Sequence, residues 1–321
     1  MATYKEIYGT NVEVLASDPS NPVEGQIWYN STSQTLKGYA LVAGSWATAG
    51  PLNTARRLGA GAGIQTAALA SGGLTTVAVG DTESYNGTSW TELNNLNTAR
   101  FFTGGAGTNT AALVFGGGPP NFGETESWNG TSWTELNDLN TARRALAGCG
   151  ATNTAALGFG GFSTARTGDT ETWNGTSWTE VNNLNTARDG PGGTGTNTAA
   201  LAFGGNSTVP DVTGDTESWN GTSWTELNNL NTARAFLGAA GTQTASLAFG
   251  GLTTVGIANT ESWNGTSWTE VNDLNITRFS FAGSAGTNTA GLAFGGEVPP
   301  NVASTEEWSG PAVQTVNITV S

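Results

Sequence analysis

The amino-acid sequence predicts an all-β protein: a six-bladed β-propeller of four-stranded antiparallel blades, with a short N-terminal extension. Two observations lead there. Three markers recur together six times, and no segment carries helical periodicity in a chain with 47 glycines among 321 residues. The first marker is a tryptophan, at Trp46, Trp90, Trp133, Trp178, Trp224 and Trp268, spaced by 43 to 46 residues. From Trp90 onward it closes a nearly constant phrase, aromatic-Asn-Gly-Thr-Ser-Trp-Thr-Glu. The second marker is an arginine ten residues later, at Arg56, Arg100, Arg143, Arg188, Arg234 and Arg278. The third is a double glycine, as in Gly72-Gly73, Gly116-Gly117 and Gly295-Gly296. A period of this length marks one supersecondary unit that buries its faces against its neighbours.

Each repeat reads as four short strands. The first follows the arginine and is rich in Gly and Ala, as in Thr103-Gly104-Gly105-Ala106; this suits an innermost position where side chains have least room. The second is apolar and runs into the double glycine, as in Ala111-Ala112-Leu113-Val114-Phe115. The third carries Thr-Glu-Ser-Trp, and the fourth starts at the marker tryptophan. The Asn-Gly between them is a strong hairpin signal, so Trp128 and Trp133 should lie opposite each other and stack. Four strands of about 5–6 residues with their turns fill such a period. Packed face to face around an axis, the units leave only short, protected edges. The sixth repeat reaches Trp308 and then loses its fourth-strand tryptophan. Residues 44–49 are expected to complete it, with the alternation Gln314 to Val320 as the other candidate. Residues 1–43 are expected to form an attachment segment with a hairpin around Ile27 to Tyr39, and residues 44–321 the propeller.

Composition removes several function classes. With no histidine, a Ser-His-Asp triad and imidazole-bound zinc or copper are excluded. Cys149 is the only cysteine, so there is no intrachain disulfide or thiolate cluster. The net charge of −14 disfavours a phosphate backbone, so no nucleic-acid partner is expected. No apolar run approaches the roughly 18 residues of a membrane span, and the first residues lack the order of a secretory signal. The Thr-Glu and Trp-Thr-Glu carboxylates repeat in every unit, whereas glycoside hydrolysis needs one unique acid pair. The repeated arginines are read as structural, each pairing with a glutamate of its blade such as Glu92 or Glu135. The Asn-Gly-Thr sites match a glycosylation sequon, but the turn alone requires those residues. The reading is therefore a non-enzyme without metal or cofactor.

The order apolar strand, Gly-Gly, variable loop, aromatic, turn, Trp, Leu and Arg resembles the kelch repeat, as in Tyr85-Asn86-Gly87-Thr88-Ser89-Trp90 followed by Leu93, Leu96 and Arg100. The resemblance covers about residues 44–310 and implies a propeller; it says little about activity, because that fold hosts enzymes and binding modules alike. The Asp-box propeller of sialidases is a rival, but here Asn stands for Asp, the box is one residue short, and the double glycine is left unexplained. The string Asn21-Pro22 through Gly25-Gln26-Ile27-Trp28-Tyr29-Asn30 resembles openings of structural proteins of marine and cyanobacterial tailed phages. That resemblance implies a virion protein of a tail fibre, tail or capsid appendage, assembled in the host cytoplasm. Its N-terminal segment would meet other virion proteins, with a homo-oligomer compatible, and its propeller would meet a host-surface glycan or protein. The alternatives are an extracellular bacterial adhesin or lectin-like propeller and, third, a glycan-active enzyme.

Divergence between repeats locates the expected binding face. The two short turns scarcely change, whereas the segment after the double glycine and the residue after each arginine do. In an up-and-down blade these two variable sets share a face. The candidate ligand-binding residues are Phe101, Phe122, Arg144, Phe162, Arg166, Asp189 and Phe279, with Phe101 and Phe279 alternatively plugging the channel mouth. Purified protein is expected to hold no stoichiometric metal by elemental analysis and to release no reducing sugar from host polysaccharide. Turnover abolished by a single Glu→Gln change would overturn the binding-module reading.

Overall fold

The computed structural model describes residues 12–208 and 211–319. The start of the expected attachment segment, two residues of the fourth variable loop and the end of the C-terminal alternation lie outside the described residues. Among the described residues the regular structure is all strand, with no helix. The chain divides into two compact units, one made of residues 45–309 and the other of the segments before and after it.

Residues 45–309 form repeated four-stranded antiparallel sheets, six among the described residues, an architecture consistent with a propeller. The second sheet is representative, with strands Gly104–Thr108, Ala111–Phe115, Thr125–Trp128 and Trp133–Leu136 hydrogen-bonded in chain order. Trp128 faces Trp133 across the hairpin with ring centroids 5.3 Å apart. The turn between them is held by the Asn129 side chain, whose Oδ1 accepts from the Thr131 and Ser132 amides at 2.9 Å. This is why the Asn-Gly-Thr-Ser phrase recurs: Asn closes an Asx turn, and Gly130 supplies φ +91°. The sixth sheet is completed by Ser45–Ala49, with Trp46 opposite Trp308.

A seventh four-stranded sheet belongs to the other unit. Glu13–Leu15 runs parallel to Ile27–Asn30, which pairs antiparallel with Thr35–Val42, and Ala312–Asn317 adds to the far side of Thr35–Val42. Sequence reading grouped this last strand with the repeats; in the structure its partner is the hairpin, in the register Val316 opposite Gly38. Asp18 ties this sheet together, accepting from Trp28 Nε1 at 3.1 Å, Asn30 Nδ2 at 2.7 Å and Lys37 Nζ at 2.7 Å. These donors, Lys37 foremost, lower its carboxyl to about 2.

Successive repeat sheets are joined by the same contacts. The fourth-strand Trp donates from Nε1 to the third-strand Thr Oγ1 of the preceding sheet: Trp133 to Thr82, Trp178 to Thr125, Trp224 to Thr170 and Trp268 to Thr216, all at 2.9–3.1 Å. Trp46 reaches Thr260 and Trp90 reaches Thr305 in the same way. The phenylalanine ending the second strand packs on that tryptophan, as Phe115 does on Trp178 at 4.7 Å. Opposite it the first strand carries a small residue: glycine at Gly104, Gly192, Gly238 and Gly283 and alanine at Ala147. A Cβ at Gly238 would lie 2.1 Å from Phe249. The first sheet trades volumes, with Ser71 in the phenylalanine position opposite Ala60.

Each Asn-Thr-Ala-Arg connection is clamped by a buried carboxylate. Glu126 Oε2 accepts from the Asn97 amide and side chain at 2.8 Å, and Oε1 accepts from the Thr98 amide at 3.2 Å and Arg100 Nη2 at 3.1 Å. The same pair recurs as Arg56–Glu83, Arg143–Glu171, Arg188–Glu217, Arg234–Glu261 and Arg278–Glu306, all buried. This corrects the expected partners. Glu92 and Glu135 are exposed on the fourth strand, directly across from Glu83 and Glu126. The connection folds over the third strand, so the third-strand carboxylate is the one it covers.

Removing one partner would leave a buried charge unpaired. Glu126→Ala is expected to lower unfolding free energy by about 3–5 kcal/mol, while Glu135→Ala stays within about 0.5 kcal/mol. Denaturant titration of both variants checks the assignment; equal effects would refute it.

Candidate binding face

Strand direction places the double-glycine loops and the Asn-Thr-Ala-Arg connections at one end of every repeat sheet and both constant turns at the other. The backbone joins the two variable sets directly. The residue after each arginine pairs with the residue after each double glycine: Arg57 with Leu74, Arg144 with Phe162, Asp189 with Asn206, Ala235 with Leu252 and Phe279 with Glu297. In the second repeat the Gly118 amide donates to the Phe101 carbonyl at 3.0 Å. The two sets read as variable are therefore neighbours in space.

The next residue in each repeat sits in the left-handed region: Leu58, Phe102, Ala145, Gly190, Phe236 and Ser280, with φ between 51° and 64°. Their amides hydrogen-bond in sequence. Phe102 donates to Leu58, Ala145 to Phe102, Gly190 to Ala145, Phe236 to Gly190, Ser280 to Phe236 and Leu58 to Ser280, at 2.7–2.9 Å. These residues and the first strands line a cavity of about 240 Å³. The aromatics lining it are Phe102, Phe236 and Phe281, the first two 5.9 Å apart, rather than Phe101 and Phe279. Phe101 stacks on Phe102 at 5.1 Å, and Phe279 lies against Gly256.

All seven candidate residues are half-buried. They gather at three seams, each between one repeat's loop and the residue after the arginine of the next repeat. At the first, Arg166 Nε donates to Asp189 Oδ1 at 2.8 Å, and Asp211 lies 3.3 Å from Nη2. At the second, Arg144 stands over the Phe162 ring, 4.6 Å from its centroid, and donates to Asn121 Oδ1 at 2.8 Å. Phe122 follows Asn121 in that loop and closes it backward, its amide donating to Gly117 at 2.8 Å. At the third, Arg57 pairs with Glu297 at 2.7 Å and donates to Asn301 at 3.0 Å.

Arg57 and Asn121 belong to the sets read as variable but were not among the candidates, and Glu297 and Asn301 were not singled out. The signal was present as a second internal likeness, Pro119-Pro120-Asn121 against Pro299-Pro300-Asn301. Both asparagines turn their Nδ2 toward the next repeat's loop, Asn121 to the Ser163 carbonyl at 2.6 Å and Asn301 to Leu74 at 2.9 Å.

Among the described residues no three His, Cys, Asp or Glu side chains cluster as a metal site would require. The chain matches no protein-family model, and a search of curated proteins finds no match. Cys149 is buried in a first strand, with Sγ 3.7 Å from the Thr196 carbonyl. Burial pushes its thiol up to about 12. Reaction with Ellman's reagent at pH 8 is accordingly expected only after unfolding in guanidinium; rapid labelling of the native protein would show an open thiolate.

Proposed function

We propose that residues 45–309 form a six-bladed kelch-like propeller that serves as a non-enzymatic binding module of a phage virion appendage, meeting a host-surface glycan through its variable face. The cyclic order of contacts supports the blade count: each first strand packs on that of the next sheet, the sixth on the first. The amide cycle from Leu58 through Ser280 and back follows the same order. The other unit, with its Trp28 hairpin, holds the segment assigned to attachment within the virion.

One observation carries the binding reading. The buried Arg–Glu clamp and the Trp-to-Thr bond recur in every repeat, while charge and loop length differ most at the end where the two variable sets pair. A symmetric scaffold needs no such differences for its own stability. Half-buried aromatics beside fixed arginines are the residues that anchor recognition surfaces. The constant face instead carries five copies of the Asn-Gly-Thr-Ser turn, in each of which the Asn side chain is committed to its own backbone.

The test replaces Phe122, Arg144 and Phe162 together by Ala and, separately, Thr131, Thr176 and Thr222 of the constant turns. Folding is checked by thermal melting, and adsorption to host cells is measured. Adsorption is expected to fall at least about tenfold for the first variant, as loss of anchor residues implies, and to persist in the second. The opposite pattern would place binding on the other face.

A further inference from the structure

We infer that the seam at Arg144 is a subsite for the carboxylate of an acidic sugar. The inference deepens the glycan-binding reading and rests on it for the biological ligand, but its evidence is a comparison between two parts of this molecule. The seam from the second repeat to the third and the seam from the sixth to the first are built alike. Each has a Phe after the clamping arginine, Phe101 or Phe279, and a Pro-Pro-Asn in the loop. In each, the loop Asn accepts from the arginine that follows the next clamp, Arg144 at 2.8 Å or Arg57 at 3.0 Å.

They differ in the acid, in the residue paired with the arginine (Phe162 for Arg144, Leu74 for Arg57) and in one extra loop residue, Val298. Beside Arg57 the residue after the double glycine is Glu297, whose carboxylate completes the guanidinium at 2.7 Å. Beside Arg144 the matching residue is Gly118. The chain cannot supply an acid there, because Gly118 has φ +143° and a Cβ would meet the Pro120 carbonyl oxygen at 2.0 Å. Among the described residues every other Lys and Arg has a carboxylate partner; Arg144 has none. Its guanidinium is nonetheless positioned, by Asn121 on one side and the Phe162 ring on the other. A guanidinium fork held in place with one edge uncommitted recognises a planar oxyanion, and carboxylate is the group its counterpart already holds.

The neighbours favour a sugar acid over an acidic peptide. Phe162 lies under the arginine and Phe122 follows Asn121 in the same loop; both are half-buried aromatics of the kind that meet the C–H face of a pyranose. The seam presents no run of backbone donors and acceptors for an extended chain, since the Phe162 amide and carbonyl are already paired with Arg144.

The experiment follows the arginine Nε–H resonances of the full chain by NMR during titration with D-glucuronate, D-glucose and N-acetylglutamate amide. Glucuronate is expected to shift the Arg144 resonance and leave Arg57 unmoved, with glucose at least about tenfold weaker, as loss of a charge-assisted pair implies. Arg144→Gln should abolish glucuronate binding. Glu297→Ala should make Arg57 respond as well, because it removes the carboxylate that occupies its guanidinium. An unmoved Arg144 resonance, equal response to glucose, or retained binding in Arg144→Gln would overturn the subsite. Tighter binding of N-acetylglutamate amide than of glucuronate would overturn the sugar assignment. Cell adsorption separates this from the broader reading: a subsite that binds glucuronate while the triple-Ala variant still adsorbs normally would refute the face and leave the subsite.

Discussion

The repeat fold depends on a carboxylate placed where water cannot reach it. Each third-strand glutamate, from Glu83 to Glu306, is buried, and burial of an isolated charge is costly enough that it must be fully paired. The partners available are the amides and side chains of the Asn-Thr-Ala-Arg connection. One group therefore fixes the path of the chain from one sheet into the next. It also fixes the arginine, whose carbonyl accepts from the second glycine of the preceding sheet's double glycine, as Arg143 does from Gly117 at 3.0 Å. Burial draws Arg278 down to about 10, still charged at neutral pH beside Glu306.

That arrangement explains why so little of the repeat varies. Glycine is required where the backbone of one sheet meets the next: at Gly116, with φ +67°, a Cβ would lie 2.7 Å from the Arg143 carbonyl. Tryptophan is required because its indole spans the wedge between sheets and still delivers a donor to a buried threonine. With the sheet junctions so constrained, the residues beyond the double glycine and beyond the arginine are those left free to differ. The three charged seams are solutions to one local geometry: Arg166 with two aspartates, Arg57 with a glutamate, and Arg144 with an amide and an aromatic ring. Specificity would be written at those seams without disturbing the clamps beneath them.

Much of this was legible in the residues. Sixfold recurrence of Trp, Arg and Gly-Gly announced the repeated sheets, the Asn-Gly turns announced the hairpins, and the lost tryptophan after Trp308 announced a borrowed strand, which of the two candidates is Ser45–Ala49. These signals are local or periodic, and one chain carries six copies that check each other. That the two variable sets share an end of each sheet also followed from strand direction; their backbone pairing did not. Nor did the arginine's partner. Glu126 and Glu135 are chemically identical and stand opposite each other across one hairpin, so nothing in the sequence separates them. Only the path of the connection, folding over the third strand, decides which is buried. In the same way, spacing offered Phe101 and Phe279 either to the binding face or to the channel mouth, and the aromatics that line the cavity are others. A left-handed φ at the next position turns Phe102 inward instead.

The sequence by itself thus determined the class of fold, the repeat, its turns and the end of each sheet where variation gathers, because those properties follow from periodicity and from what Gly, Asn and Trp can do locally. The tertiary structure alone decided which charges pair, which arginine lacks an acid, and where the strand after residue 310 docks. Those depend on groups tens or hundreds of residues apart, Arg57 and Glu297 among them, brought within hydrogen-bonding distance only by how the sheets pack.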